Sequence, residues 1–328
     1  PVSFFSAVLN SMPQDGGLYI PIVFPSLPTL HTQSYAEYAS ELISAFIAEP
    51  TLTESMTQHC QRAFTFLPQR TSLYSHHQLL ELYHGPSLSF KDFGAQFLSE
   101  VIASLPCQHP RLILVATSGD TGSAVAAAFH KKPQVNVVIL YPDNGVSARQ
   151  AHQLGCFGDN IHTLAMNSRF DNCQQLVKHA LVDPDLQQQF TLTTANSINI
   201  GRLLPQVVYY AYESQRYCRE TGHAMNLIVP SGNLGNVTAA CWAKHIGAPI
   251  NHIIIAQNAN RFGLDRLKVV ELNAPDGLKQ LEKPNAVFIG GGLNAKVLNT
   301  VLKLVDCGTR LVVNVVTLES ETLLLRKR

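Results

Sequence analysis

Among the side chains able to do chemistry, one lysine stands out by its frame: His84-Gly85-Pro86-Ser87-Leu88-Ser89-Phe90-Lys91-Asp92-Phe93-Gly94. Ser89 to Asp92 has the S-x-x-D form of a helix-capping box, which makes Ser89 the expected N-cap and Lys91 the second helical position. Phe93 and Phe97 follow four residues apart, an apolar stripe suited to anchoring the helix in a core. An amine there meets the positive end of the helix macrodipole and water-excluding rings, and both disfavour the ammonium form. A neutral ε-amine is what a Schiff-base lysine needs before it can attack an aldehyde. The plain alternative is a surface lysine in the first turn of a helix, because lysine is seldom buried.

Two glycine-bearing turns offer complementary chemistry. The first, Thr117-Ser118-Gly119-Asp120-Thr121-Gly122, follows the continuous apolar run Arg111–Ala116, which suits a strand buried on both faces. An alanine-rich helix from Ser123 to about His130 and a strand from Val135 to Leu140 complete a βαβ unit. Ligands bind at such strand ends, where backbone N–H groups point outward. Thr117, Ser118, Asp120 and Thr121 are therefore candidates to contact an amino-acid carboxylate or a cofactor ring, although glycines can equally serve only to tighten a turn. The second turn, Ser231-Gly232-Asn233-Leu234-Gly235-Asn236, follows a strand at Asn226–Pro230 and precedes a helix from Val237 to about Ile246. Consecutive N–H groups at a helix N-terminus form an anion cup. The turn lacks the Gly-Lys-Ser/Thr ending of a nucleotide P-loop and is not G-x-G-x-x-G, so a phosphate monoester held without metal fits it best. The strand His252–Ala256 closes a second βαβ unit.

A third candidate group is Ser197-Ile198-Asn199-Ile200-Gly201-Arg202, which leads into a helix beginning Leu204-Pro205-Gln206-Val207. An arginine at that point can pair with a phosphate in bidentate fashion, or it can be an ordinary solvated helix charge.

The lysine frame resembles the HGP-x-x-x-FKD(F) motif of threonine synthases, and ATSGDTG and SGNLGN resemble the corresponding loops of that family. The S-I-N-x-x-R phrase before L-P-Q-V-x-Y-Y resembles it too, and the motifs stand in the family's order. The resemblance covers about residues 1–256. It implies the α/β fold of the fold type II pyridoxal-phosphate enzymes, two Rossmann-like lobes about a cleft, with a small N-terminal helical region. It implies pyridoxal 5'-phosphate carried by Lys91, with its phosphate cradled by Gly232, Asn233, Leu234, Gly235 and Asn236. The implied reaction is conversion of O-phospho-L-homoserine and water to L-threonine and phosphate. Thr117, Ser118, Asp120, Thr121, Asn199 and Arg202 would then meet the substrate, and His84 would be a polar wall residue or a buried, hydrogen-bonded histidine.

The elements that must position these groups divide into three stretches. Residues 1–80 are expected to be mainly helical, with helices at Tyr35–Ala48 and Glu54–Phe66 after a turn and short strand at Gly16–Pro21. Residues 81–256 form the cofactor-binding α/β core, including a helix at Phe170–Leu181. Residues 257–328 form an atypical α/β tail. From about residues 255–260 the sequence stops resembling threonine synthases. Asn258–Gly263, Leu267–Glu271, Ala286–Leu293 and Arg310–Ser320 instead resemble the C-terminal half of a precorrin methyltransferase domain of the cobalamin pathway. The acidic-x-Gly-x-Gly loop that such domains use for S-adenosylmethionine would lie upstream, where threonine-synthase-like sequence stands. The family's serine or threonine partner for the pyridine nitrogen is also not found. The chain reads as a chimera, active or inactive, and the strands near 267–271, 286–290 and 311–317 must find parallel partners or leave exposed edges.

Composition agrees with this reading. At 328 residues, with 46% hydrophobic and only 14% charged residues, there is apolar surface for two cores and for a homo-oligomer interface. A formal net charge of +1 gives no electrostatic case for nucleic acid or an anionic membrane. Seven scattered cysteines with no C-x-x-C pair suggest buried thiols in a reducing compartment, with no metal site. With no apolar run of about 18 residues and no secretory leader, a cytoplasmic protein is expected.

Overall fold

The computed structural model describes residues 1–256, apart from short breaks at 14, 32–33, 48–49, 75–76 and 107–108, together with 286–289, 294–306 and 310–313. In chain order the helices α1 (Phe4–Asn10), α2 (Tyr35–Phe46) and α3 (Pro50–Ala63) precede an antiparallel hairpin, β1 (Gln69–Tyr74) and β2 (His77–Glu81). Then come α4 (Lys91–Ser104), β3 (Arg111–Ala116), α5 (Asp120–Phe129), β4 (Val135–Pro142), α6 (Ala148–Gly155) and β5 (Ile161–Met166). They are followed by α7 (Phe170–Leu181), α8 (Pro184–Gln189), β6 (Thr191–Thr194), α9 (Ile200–Thr221), β7 (Met225–Pro230), α10 (Gly235–His245) and β8 (Ile250–Ala256). The described part of the tail holds β9 (Ala286–Ile289), α11 (Ala295–Leu304) and β10 (Arg310–Val313).

These elements divide into two compact units. The first comprises Pro1–Pro68, Leu82–Ala224 and Ala239–Pro249; the second comprises Gln69–Glu81, Met225–Thr238 and the chain from Ile250 onward, so the boundary runs through α10. The first unit is built on a parallel four-stranded sheet of order β5-β4-β3-β6. Its central strands β3 and β4 are largely apolar because helices cover both faces, while β5 and β6 carry polar residues. Leu114, Ala116 and Leu140 pack with Cys173, Val177 and Leu181 of α7. On the other face, Gly122 of α5 lies so close to Ile139 and Leu154 that an added Cβ would fall 3.1 and 2.4 Å from their methyl carbons.

The helix that opens at Lys91 is fixed by its apolar stripe, as the spacing of Phe93 and Phe97 indicated. Both rings are fully buried. Phe93 sits among Tyr35, Phe64, Phe66 and Tyr209, with ring centroids 4.8–6.2 Å away and mostly edge-on, a favourable arrangement for aromatic quadrupoles. On the α9 side α4 carries Gly94, where a Cβ would stand 2.7 Å from the carbonyl oxygen of Arg202. Glycine is thus what allows these two helices to touch backbone to backbone.

The second unit contains the parallel strand pair β7–β8, the parallel β9–α11–β10 arrangement and the β1–β2 hairpin. The strands at 286–289 and 310–313 do find a parallel partner, each other, with Ala286 opposite Arg310 and Ile289 opposite Val313. The strand expected near 267–271 and the turn at Gly290–Gly292 lie outside the described residues, as do the stretches 258–263 and 314–320. One expectation for the N-terminal stretch is corrected. Leu18–Pro21 forms no strand, and Leu18 and Ile20 are exposed, because no neighbouring strand pairs with it among the described residues. Residues 69–81 add a hairpin to the otherwise mainly helical N-terminal stretch; the residues on either side of its turn alternate too weakly to announce strands.

Gly94→Ala tests the close helix contact. In an ordinary helix interior this change gains about 1 kcal/mol, but here the methyl meets backbone, and overpacking costs about 1–3 kcal/mol. Chemical denaturation should therefore show a less stable variant; a more stable one would mean that α4 and α9 do not touch at this point.

Candidate active site

The turn before Lys91 is tightly specified. Leu88 N–H donates to the Gly85 carbonyl at 3.0 Å, and Leu88 itself takes φ 57°, a left-handed conformation costly for a branched side chain. The Asp92 carboxylate reaches back to accept from the Ser87 N–H at 2.9 Å, and Gly85 lies against it, where a Cβ would come within 2.5 Å of Oδ2. This geometry replaces the expected capping box. Ser89 is not the N-cap: Phe90 takes that place without a side-chain bond, and Lys91 is the first helical residue. The reason is that Asp92 caps the turn at Ser87, while the Ser89 hydroxyl pairs with that of Ser87 at 3.1 Å.

Lys91 Nζ lies 3.1 Å from Asp120 Oδ2 and 4.7 Å from the centroid of the Phe90 ring, with about a quarter of the side chain exposed. The amine thus has a carboxylate partner where the sequence suggested an apolar sleeve. Asp120 is the first residue of α5, and its other oxygen accepts from Gln150 Nε2 at 3.0 Å. Burial alone would raise the Asp120 carboxyl, but the Lys91 charge and the Gln150 and Lys91 hydrogen bonds outweigh it and hold it below its ordinary value. Gly119 has φ 146°, which a side chain rarely adopts, and a Cβ there would stand 2.5 Å from Gln150 Nε2. The Thr117 hydroxyl ties the turn together, donating to the Gly119 carbonyl and accepting from the N–H groups of Gly119 and Gly122, all at 3.0 Å. Ser118 is exposed at the tip and Thr121 half-buried.

This turn stands at the switch point of the sheet. After β3 the chain moves outward to β4 and β5, then returns to place β6 on the opposite side of β3. Connections leaving β3 and β6 diverge there, opening the crevice in which α/β sheets take up ligands. Asn196 continues the ladder beyond Thr194: its Oδ1 accepts from Ala116 N–H at 3.1 Å and its Nδ2 donates to the Ala116 carbonyl at 2.6 Å. Asn199 is buried and caps α9, its Oδ1 accepting from Gly201 N–H at 2.9 Å; its Nδ2 donates to the Val8 and Thr194 carbonyls and contacts Ser11 Oγ. Arg202 is 2% exposed, not a solvated charge, and donates to the Ala195 carbonyl. Burial lowers its pKa to about 10, against the upward pull of Asp92, so it remains a cation at neutral pH. A ligand would have to compete with these existing bonds to engage either side chain. His84 is exposed beside the Tyr83 ring, their centroids 4.9 Å apart.

In the second unit the Ser231 hydroxyl donates to the Asn233 carbonyl at 2.8 Å, curling the turn that starts α10. Asn236 is buried in the first turn of the helix, while Gly232 and Asn233 are exposed. A Cβ added at Gly232 would meet no atom within 4 Å. The open space above this glycine, at the N-terminus of an 11-residue helix, is a cradle of the kind an anionic group occupies. The amine in the first unit is of the kind that condenses with an aldehyde, and the glycine turn in the second is of the kind that holds a phosphate, so each residue set by itself suits one end of pyridoxal 5'-phosphate.

Comparison with known proteins bears on both features. Residues 79–286 match the pyridoxal-phosphate dependent enzyme family, residues 1–64 match the threonine synthase N terminus, and residues 247–328 match a precorrin methyltransferase domain. Threonine synthase from Serratia marcescens is 40% identical over 264 residues, spanning 79% of this chain and 62% of that protein. The crystal structure of threonine synthase from Escherichia coli superposes with a TM-score of 0.74 at 32% identity, covering 95% of this chain and 75% of that one. The chain belongs to the threonine synthase family of pyridoxal-phosphate dependent enzymes. The structure of pyridoxal-phosphate-bound threonine synthase from Brucella melitensis is also similar, with a TM-score of 0.70 and 32% identity over 78% of this chain and 57% of that one.

The chain spans 55% to 62% of the length of the curated family members it matches. Its chimeric character is visible in the overlap of the family match with the methyltransferase-domain match over 247–286. Within the first unit the structure pairs Lys91 with Asp120, and Thr117 ties together the turn that leads to Asp120; Gly232–Asn236 belongs to the second unit. Gln150 and Asn196 were not among the residues singled out from the sequence. Ser147-x-x-Gln150 carries a readable capping box, but its bond to Asp120 spans 30 positions and leaves no local mark. Among the described residues no helix is long and apolar enough to cross a membrane, and no cluster of potential metal ligands occurs.

Asp92 makes stability depend on pH. Burial pushes its carboxyl above the ordinary range, while the hydrogen bonds from the Ser87–Ser89 turn and the Arg202 charge pull it down. A carboxyl raised in the folded state contributes its stabilisation below its unfolded value of about 3.9 and loses it as pH rises through the folded value. Asp92→Asn retains an acceptor for Ser87 and removes this titration. Urea midpoints followed from the ordinary carboxylate range up to neutrality should fall more steeply in the wild type than in the variant, and equal slopes would refute the assignment.

Proposed function

We propose that the threonine-synthase-like part of this chain binds pyridoxal 5'-phosphate in the cytoplasm and converts O-phospho-L-homoserine and water to L-threonine and phosphate. The observation that carries the reading is the Lys91 amine held 3.1 Å from Asp120 at the switch point of the sheet, in a chain 40% identical to a threonine synthase. Lys91 would hold the cofactor through Nζ, and the Gly232–Asn236 turn would take its phosphate. When bound, the cofactor supplies the electron withdrawal that stabilises negative charge on the substrate carbons.

The remaining work falls to the chain's own residues. Nζ of Lys91 carries protons to and from Cα, Cβ and Cγ of the substrate as phosphate leaves Cγ and water adds at Cβ. Asp120 keeps that nitrogen on station and balances its charge. The N-terminus of α5, with Ser118 and Thr121, offers N–H and hydroxyl donors to the substrate carboxylate. Asn199 and Arg202 reach the substrate phosphate on exchanging their bonds to Val8, Thr194 and Ala195 for bonds to it.

Purified protein given pyridoxal 5'-phosphate should develop an absorption band near the visible edge and release phosphate from phosphohomoserine in preference to acting on serine or threonine. Lys91→Ala should lack the band and lose at least about a thousandfold in turnover. An identical band and rate in that variant would refute the assignment. A band without turnover would mark the chimera as a binding protein that has lost the reaction, and calorimetric binding of S-adenosylmethionine would point to methyl transfer instead.

Gly232→Ala tests the cradle separately. Since its methyl meets nothing in the protein, thermal stability should hold, while cofactor affinity falls about tenfold, a loss of about 1.4 kcal/mol. Unchanged affinity would remove the turn from the site.

A further inference from the structure

Asp120 is held from two sides. One oxygen faces Lys91 Nζ at 3.1 Å and the other accepts from Gln150 Nε2 at 3.0 Å. Gln150 is also the third residue of α6, where its Oε1 accepts from the Ser147 N–H at 3.1 Å and from the Ser147 hydroxyl at 3.2 Å, while Ser147 Oγ accepts from its backbone N–H. One amide side chain therefore closes a capping box with its oxygen and anchors a carboxylate with its nitrogen. Gly119 shows how deliberate the approach is, since any side chain at that position would displace the Gln150 amide. A bond needed only for capping would leave Nε2 in solvent, as α6 is amply capped without it.

We infer that Gln150 is a positioning residue that, acting through Asp120, holds the Lys91 amine in place and sets its readiness to react with an aldehyde. The inference rests on the proposed role of Lys91 and adds a component beyond it. Asp120 has about two-fifths of its side chain exposed, so without the Gln150 anchor its carboxylate turns toward water. The amine then loses its counter-charge. The other charged groups near this lysine are Asp92 on its own helix, whose carboxylate is turned to Ser87, and Arg202 from α9, whose charge couples to Asp92. On α6, Arg149 and His152 are exposed.

The test uses cofactor-free protein and needs no turnover. Reductive methylation of Lys91 with formaldehyde and cyanoborohydride, resolved by peptide mass spectrometry, is followed from about pH 7 to about pH 10, the range in which amines lose their proton. Asp120→Asn should move the profile to lower pH, as expected for loss of a nearby opposite charge, and Gln150→Leu should move it in the same direction by less. Gln150→Glu retains the capping oxygen but adds negative charge beside Asp120, and should move the profile to higher pH. Ser147→Ala, which breaks the cap and leaves Asp120 alone, should lower the melting temperature without moving the profile. Opposite displacements in the leucine and glutamate variants would establish the relay. A Gln150→Leu profile that overlays the wild type, or a glutamate variant that moves the same way as leucine, would overturn it. Pyridoxal 5'-phosphate uptake by the wild type, read as absorbance in parallel, separates the two claims. Displaced methylation profiles without uptake refute the cofactor reading alone, and uptake with undisplaced profiles refutes the relay alone.

Discussion

The ion pair between Lys91 and Asp120 is the contact for which the first unit is arranged. Neither partner is placed by its immediate neighbours alone. The lysine is fixed because Phe93 and Phe97 sink α4 into an aromatic cluster, leaving the first residue of the helix at the rim. The aspartate is fixed because β3 ends at the sheet's switch point and Thr117 folds the following turn onto α5. A charge pair at such a partly exposed place is worth little as stabilisation. Its consequence is chemical, since it gives an amine a defined direction and a defined partner.

The scaffold beneath that pair depends on close backbone approaches. Gly94 against Arg202, Gly122 against Leu154 and Gly119 against Gln150 each occupy positions where a methyl would collide. Buried polar groups are organised with similar economy. Asn199 joins α1, β6 and α9 through one amide, and Asn196 extends the strand ladder by side chain once the strand itself has ended. Arg202 is kept in the interior by the Ala195 carbonyl and the field of Asp92, at a cost in desolvation that shows in its lowered pKa.

The chimeric tail illustrates how permissive α/β logic is. Strands at 286–289 and 310–313 come from a stretch that matches a precorrin methyltransferase domain, yet with α11 they form a parallel βαβ arrangement of the kind found at β7–α10–β8. Apolar β-branched runs separated by an amphipathic helix suffice for that, whatever their origin, because the handed crossover is set by backbone twist and not by family. Of the tail's expected elements only these fall within the described residues.

Much of the fold was legible because it is written in local patterns. Continuous apolar runs marked β3, β4, β7 and β8, glycine turns marked the loops that follow β3 and β7, and i, i+4 aromatics marked α4. The weakly patterned pieces were missed. The β1–β2 hairpin gains strand form from its own two arms, and β5 and β6, with their alternating polar residues, gain it from β4 and β3, which lie well back along the chain. At the site, the identity of Lys91 and the glycine turns could be read directly, since they rest on residue type and short spacing. The sequence thus determined the class of fold, and residue type and short spacing singled out Lys91 and the glycine turns as candidates. Only the tertiary structure decided that Asp92 rather than Ser89 completes the turn, that Asp120 faces the amine, that Gln150 holds Asp120, and that Asn199 and Arg202 are built into the interior. Each of those outcomes turns on a contact between side chains brought together by the sheet's topology, and no one-dimensional spacing encodes which way a carboxylate points.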